Sequence, residues 1–381
     1  MTLHDRVRAA CKADAQAADP AAAPGSAGSP EAPAASASRC RTLIFDSGHD
    51  GFGDTVFGLA STFVAALLDD RAFLIRQEWL PFAFEPATFD WRDTTDIILS
   101  EPSWRISDEN NPPDVPYARL SLYNRNVTNP EALFGKLSGI AHIGLLWNRG
   151  ILFNLLTKEK GAWADKFRGI GLTPPYAFAC VMRFLLRPKP EVWQLMRGIS
   201  QQVNAPNSIS ISIHVRVQDG IVWEDYWHDG VPKVLNETVV EELYNENKQA
   251  FECAQELEQW WRPVSLRVTW FLICNSAHLK AALRNRFPNK IVTTEFIPRH
   301  VAISKEPNST ARTGPPAWYQ ETVAEWLLLA STHLLIIPAE SGFSRSAVMY
   351  SMRPGGVYMA HKCRPDAPVP VGDLAVAGCG V

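Results

Sequence analysis

The chain of 381 residues has no Cys-x-x-Cys pair, no Lys/Arg cluster interleaved with aromatic residues and no apolar N-terminal run. No stretch reaches the ~18 consecutive apolar residues that a membrane helix needs, so no membrane span is expected. Seven cysteines at irregular spacings give neither a zinc site nor a disulfide framework. Cys180, Cys253 and Cys274 sit in apolar runs and read as small core residues. Cys40, Cys363 and Cys379 flank the expected core and could pair in an oxidising compartment. A net charge of −3 without a basic patch argues against a nucleic-acid partner. Met1–Ala10 has no apolar core of a secretory signal, so none is expected.

What is present is ordinary globular material, 46% hydrophobic and 20% charged, in a length that suits two domains. Residues 1–39, rich in Ala, Pro, Ser and Gly, read as a disordered leader. The composition of 13 Trp is high; most fill cores, and some aromatic planes can line carbohydrate sites. Sequons at Asn126, Asn236 and Asn308 matter only in a secreted protein.

The chain is organised around Ile209–Asp229. Ile209, Ile211, Ile213 and Val215 alternate with Ser210, Ser212, His214 and Arg216, the period of a strand. A polar loop with Asp219, Glu224, Asp225, His228 and Asp229 follows. Guanidinium donors match phosphate oxygens, and carboxylates nearby can act as base or orienter. The bland alternative is an edge strand whose His and Arg face water.

Ahead of it, Arg41–Phe45 reads as a buried strand. Gly48-His-Asp-Gly-Phe-Gly-Asp54, a helix over Thr55–Leu68 and a strand over Ala72–Ile75 then complete a β-loop-α-β unit. Asp54 suits the N-cap, or could face an acceptor hydroxyl. A strand is expected at Asp96–Leu99, and 131–203 reads as largely helical, with helices over Glu131–Ile140 and Glu191–Val203. Asn204–Ser208 marks a domain boundary, giving 40–205, 206–363 and a tail, 364–381. The second part alternates strands and helices, as a parallel doubly wound sheet does. Strands are expected over Leu266–Cys274, Lys290–Phe296, His333–Ile337 and Val357–Ala360. The helices between them are Thr238–Trp261, one capped near Asn275-Ser276, Trp318–Ser331 and Ser344–Met352. Ligands of such sheets lie at the carboxyl ends of strands. Pro338-Ala-Glu-Ser-Gly-Phe-Ser-Arg345 there offers hydroxyls and a helix N-terminus to an anion.

Gly51-Phe-Gly-Asp54, Ile213-His-Val-Arg216 with Asp219, and Ser341-Gly-Phe-Ser344 followed by Arg345 together resemble the three motifs of the GDP-fucose-dependent fucosyltransferase superfamily. Order and spacing agree over about residues 41–360. The resemblance implies an α/β fold of GT-B type: two Rossmann-like domains facing a cleft, with the nucleotide sugar held mainly by the second. It implies that Arg216 stabilises the leaving diphosphate, His214 orders its loop, and Ser341 and Ser344 face phosphate or base. Glu224, eight residues after Arg216, matches a base, and His228 a histidine in that register. Gly51, Phe52, Gly53, Gly342, Phe343 and Arg345 belong to the same motifs. Val217 stands where many members carry a second arginine. Asn275 and Ser276 replace an acidic residue that faces guanine or ribose.

The expected chemistry is inverting transfer of fucose from GDP-fucose to a glycan or glycoprotein, with Glu224 as base, Asp225 as understudy and Arg216 as the electrophilic side. No cofactor is expected: the chain lacks Asp-x-Asp, and arginine with backbone N–H groups can carry the phosphate charge. Two alternatives are a catalytically inactive nucleotide- or glycan-binding relative and a glycosyltransferase using another nucleotide sugar. The resemblance implies the Golgi if the leader is incomplete; otherwise the chain reads as cytoplasmic.

Overall fold

The structure, a computed structural model, describes residues 41–46, 51–92, 117–122, 129–147, 161–169, 174–217, 234–264, 267–297, 316–353 and 355–369. The first part runs β1 (Thr42–Asp46), α1 (Phe52–Leu68), β2 (Ala72–Arg76), α2 (Leu80–Ala83), β3 (Phe84–Pro86), β4 (Tyr117–Ser121), α3 (Pro130–Lys136) and β5 (His142–Leu146). It continues with α4 (Ala162–Gly169), α5 (Pro174–Leu185), β6 (Leu186–Pro188) and α6 (Pro190–Val203). β2, β1, β5 and β4 form a parallel sheet in that order, and β3 pairs with β6 in a short antiparallel ribbon. The expected strand at Asp96–Leu99 lies outside the described residues.

Three expectations for this part need correction. β5 lies inside the stretch expected to be helical, because Ile143 and Leu145 are fully buried between β1 and β4. α3 stops at Lys136, and Ile140 instead belongs to a turn held by the buried Arg71. That guanidinium donates to the carbonyls of Leu137 (3.1 Å), Ile140 (2.8 Å) and Ala141 (3.0 Å). α1 begins at Phe52, three residues early, with Gly51 as N-cap, so Asp54 lies in the first turn rather than at the cap. Nearly the whole surface of α1 is buried, as befits a helix apolar on all sides.

The second part runs β7 (Ser208–Val215), α7 (Glu237–Trp261), β8 (Arg267–Cys274), α8 (Ala277–Arg286), β9 (Ile291–Thr293), α9 (Pro316–Ser331), β10 (Leu334–Ile337), α10 (Gly342–Ser351) and β11 (Val357–Met359). Its sheet is parallel in the order β11-β10-β7-β8-β9. β7 is therefore a central strand, which overturns the edge-strand alternative. Its isoleucines face an apolar cluster under α7. On its other face, Ser210 Oγ meets His333 Nδ1 at 2.8 Å, and Thr332 Oγ1 donates to Ser212 Oγ at 3.0 Å. Asn236 and Ser276 cap α7 and α8 by accepting from Val239 N and Leu279 N. β9 ends at Thr293, short of the expected Phe296.

Cys253 is a core residue, as expected, but its sulfur is bonded. α7 packs on the turn at Ala360–Lys362, and Cys253 there forms a disulfide with Cys363, Cα to Cα 5.6 Å. Among the described residues, Cys180 and Cys274 are free, and no helix is long and apolar enough to cross a membrane.

One apolar core runs through both sheets. It joins Leu43 and Phe45 of β1, the length of α1, Trp326 of α9, and Leu335 and Ile337 of β10.

Candidate active site

In the second sheet the chain winds from β7 to β9, then returns to β10 on the other side of β7. The crevice at such a reversal, at the carboxyl ends of the two flanking strands, is where open α/β sheets bind ligands. Two of the expected segments leave the sheet there. Arg216 directly follows β7, and Ser341–Arg345 follows β10.

The first segment is buried on both faces as far as Val215. His214 is buried and its Nδ1 has no hydrogen-bond partner. Burial first, and then the charge of Arg216, pushes its pKa down to about 3, so the ring is neutral at physiological pH. The ring lies 5.8 Å from that of Phe343. Arg216 is exposed, whereas Val217 is 1% exposed and sits in the cluster under α7. Asp219, Glu224 and His228, like Asp225 and Asp229, lie outside the described residues.

Asn275 stands where the resemblance has an acidic residue facing guanine or ribose. Its carboxamide is instead closed on Val217: Oδ1 accepts from Val217 N–H at 2.7 Å, and Nδ2 donates to Val217 O at 2.8 Å. Neighbouring Cys274 is buried, and burial pushes its thiol up to about 12.

The second segment forms the start of α10. Ser341 is the N-cap, and its side chain makes no capping hydrogen bond. Ser344, expected to face the ligand, is fully buried in the first turn, with Oγ donating to Ser341 O at 3.4 Å. Arg345 is buried as well, and its N–H donates to Ser341 O.

The first turn of α1 abuts this one. A Cβ on Gly53 would lie 2.1 Å from Gly342 C and 2.3 Å from Phe343 N. The Asp54 carboxylate lies over Gly342, its Oδ1 2.9 Å from where a Cβ there would be. The positive end of α10 thus already faces one carboxylate, so the open anion nest expected there is partly neutralised. Phe52, in the first of the three motifs, packs into the core. It is 4% exposed, with rings of Trp326, Trp79 and Phe343 at 5.3, 5.7 and 5.9 Å.

Sequence reasoning gave no role to Lys280. Its ammonium is buried and donates to Glu325 Oε1 (2.8 Å), Phe296 O (3.0 Å) and Thr294 Oγ1 (3.2 Å). A cavity of about 320 Å³ opens there, walled by Ala277, Lys280, Thr294 and Phe296 among others. A lysine in an otherwise ordinary amphipathic helix carries no sign of such burial.

No protein-family model and no curated protein matches the chain. Among solved structures, the chain is similar to an Arabidopsis thaliana FUT1 mutant in complex with GDP, with TM-score 0.57 and 14% identity. The match covers 91% of this chain and 76% of that one, and shows a shared α/β fold. NodZ alpha-1,6-fucosyltransferase soaked with GDP-fucose matches at TM-score 0.45 and 16% identity, over 81% of this chain and 92% of that one.

Proposed function

We propose that the chain is a glycosyltransferase that moves fucose from GDP-fucose to a hydroxyl of a glycan or glycoprotein, with inversion and without a metal ion. The observation that carries this reading is that Arg216 and the N-terminus of α10 follow the carboxyl ends of the paired strands β7 and β10, at the reversal point of the β11-β10-β7-β8-β9 sheet. In the transfer, a carboxylate takes the acceptor proton as the acceptor oxygen bonds to the sugar's anomeric carbon. The bond from that carbon to the diphosphate breaks, and GDP leaves with the electron pair. Arg216 and backbone N–H groups of α10 stabilise that developing charge. His214, held neutral, adds no charge and packs against Phe343, so it supports the loop. Glu224 is the base by its spacing from Arg216, and Asp54 is the carboxylate facing the site from the first sheet's side.

The fold likeness to a GDP-bound fucosyltransferase supports the choice of nucleotide. One observation favours a second reading, in which the sheet takes another nucleotide sugar: the Asn275 carboxamide is committed to Val217 rather than to a base edge. The Cys253–Cys363 disulfide supports an oxidising compartment, as in the secretory pathway.

Titration calorimetry with GDP, UDP and ADP, each with magnesium and with chelator, tests this. GDP binding that ignores magnesium and falls in Arg216→Ala is the expected result. A preference for UDP would select the second reading. Binding of none of the three would sink both.

A further inference from the structure

We infer that Asn275 is a positioning residue for Arg216, closing the end of β7 so that the guanidinium is presented to a diphosphate from a fixed backbone. This rests on the nucleotide-sugar reading of the site. The parallel ladder between β7 and β8 ends at the pair Val215–Cys274. Beyond it the chain continues to alternate: Val215 inward, Arg216 outward, Val217 inward. Val217 is buried in apolar surroundings, so its peptide N–H and C=O need partners that the ladder does not give.

The Asn275 carboxamide supplies both at once, 2.7 and 2.8 Å away. A primary amide is suited to this because it carries an acceptor and a donor in one plane, like the peptide group it replaces. The result is one further rung of the sheet made from a side chain. Arg216, which would otherwise begin a loop, becomes the last residue of a held strand. A charged group fixed before its ligand arrives loses less ordering entropy on binding.

The same geometry accounts for the amide at 275. A carboxylate would still accept from the Val217 N–H, but its second oxygen would face the Val217 carbonyl, and two acceptors repel. Against the one donor and one acceptor of the Val217 backbone, the amide closes both contacts where a carboxylate closes one.

The test measures GDP affinity by calorimetry in the full chain for wild type, Asn275→Ala, Asn275→Asp, Arg216→Ala and the Asn275→Ala/Arg216→Ala double variant. Thermal unfolding without ligand runs in parallel. Asn275→Ala and Asn275→Asp should each weaken GDP on the order of tenfold, while Asn275→Ala should add less than about twofold in the Arg216→Ala background, the non-additivity of coupled residues. Asn275→Asp keeps the bond to the Val217 N–H, so it carries the test if the alanine variant does not fold. Lowered melting with GDP affinity unchanged, or losses that add in the double variant, would overturn the positioning role alone. A wild-type chain with no affinity for GDP would overturn the GDP reading, and this inference with it.

Discussion

The first turns of α1 and α10 meet at Gly53 and Gly342, so closely that a methyl group on Gly53 would lie 2.1 Å from the Gly342 carbonyl carbon. Both partners in that clash are backbone, so neither can turn aside. Glycine at 53 is required by this contact and not by its own conformation.

Gly53→Ala should therefore cost at least ~2 kcal/mol, the upper part of the range for overpacking. Gly198→Ala makes the opposite case. Gly198 lies within α6 with nothing near an added Cβ, and alanine there should stabilise by about 0.5–1 kcal/mol. Chemical denaturation of both variants checks the signs. A neutral Gly53→Ala would mean that the helix ends do not touch.

Arg216→Ala should weaken GDP by about 1.5–3 kcal/mol, the range for a hydrogen bond to a charged group, or roughly 10- to 150-fold. Arg216→Lys should recover only part, because an ammonium cannot make the planar two-point contact. Calorimetry on the two variants decides this, and an alanine variant that binds GDP as wild type does would exclude Arg216 from the site.

Acid should destabilise the fold through His214. Its pKa falls from 6.5 in the unfolded chain to about 3 in the native one. Below the unfolded value the unfolded state takes up a proton and the native state does not, so stability drops as pH falls between those two values. One such group gives a slope of up to about 1.4 kcal/mol per pH unit. Burial, and then the charge of Arg353, also push His333 down, so the comparison must be with His214→Phe. That variant should show a shallower loss of stability on acidification. Parallel curves would mean that His214 titrates normally in the native protein.

Reduction should unfold the chain at lower temperature. The Cys253–Cys363 bond spans 110 residues, and a loop of that order contributes about 4–5 kcal/mol in the chain-entropy account. Cys363→Ser should lower the melting temperature as reductant does and abolish the further effect of reductant. If reductant still acts in that variant, another disulfide is responsible.

Lys280→Met leaves the buried Glu325 carboxylate without its cation, with Thr294 Oγ1 still donating to it, a loss of about 3–5 kcal/mol. Adding Glu325→Leu should restore most of it, since removing both partners of a buried pair is far less costly than removing one. Additive losses in the double variant would show that the two charges do not depend on each other.

Much of the fold was legible because its strands are buried runs with clear breaks. β1, β2, β7 and β10 fall within a residue or so of their expected positions. β5 was not legible. Its five residues include a glycine and a histidine, and it becomes a strand by docking between two others. The start of α1 was missed because Gly51-Phe-Gly53 lacks helical character of its own; the packing against α10 supplies the reason for it.

At the site, residue type was readable and partner was not. Phe52 and Ser344 sit in motifs that suggest a ligand, yet each faces the core. Asn275 was read as the replacement of an acidic residue that faces guanine or ribose, whereas its carboxamide bonds the Val217 backbone.

The core that runs unbroken from Leu43 to Ile337 bears on modular exchange. A chimaera that imports the second sheet alone would present a bare apolar face and a glycine-lined socket shaped for a foreign helix end. The first turn of α1 has to travel with α10, so the smallest portable piece takes in residues from both ends of the chain. For the same reason, no substitution at 342 can make room for a side chain at 53, because the atoms that crowd it are backbone.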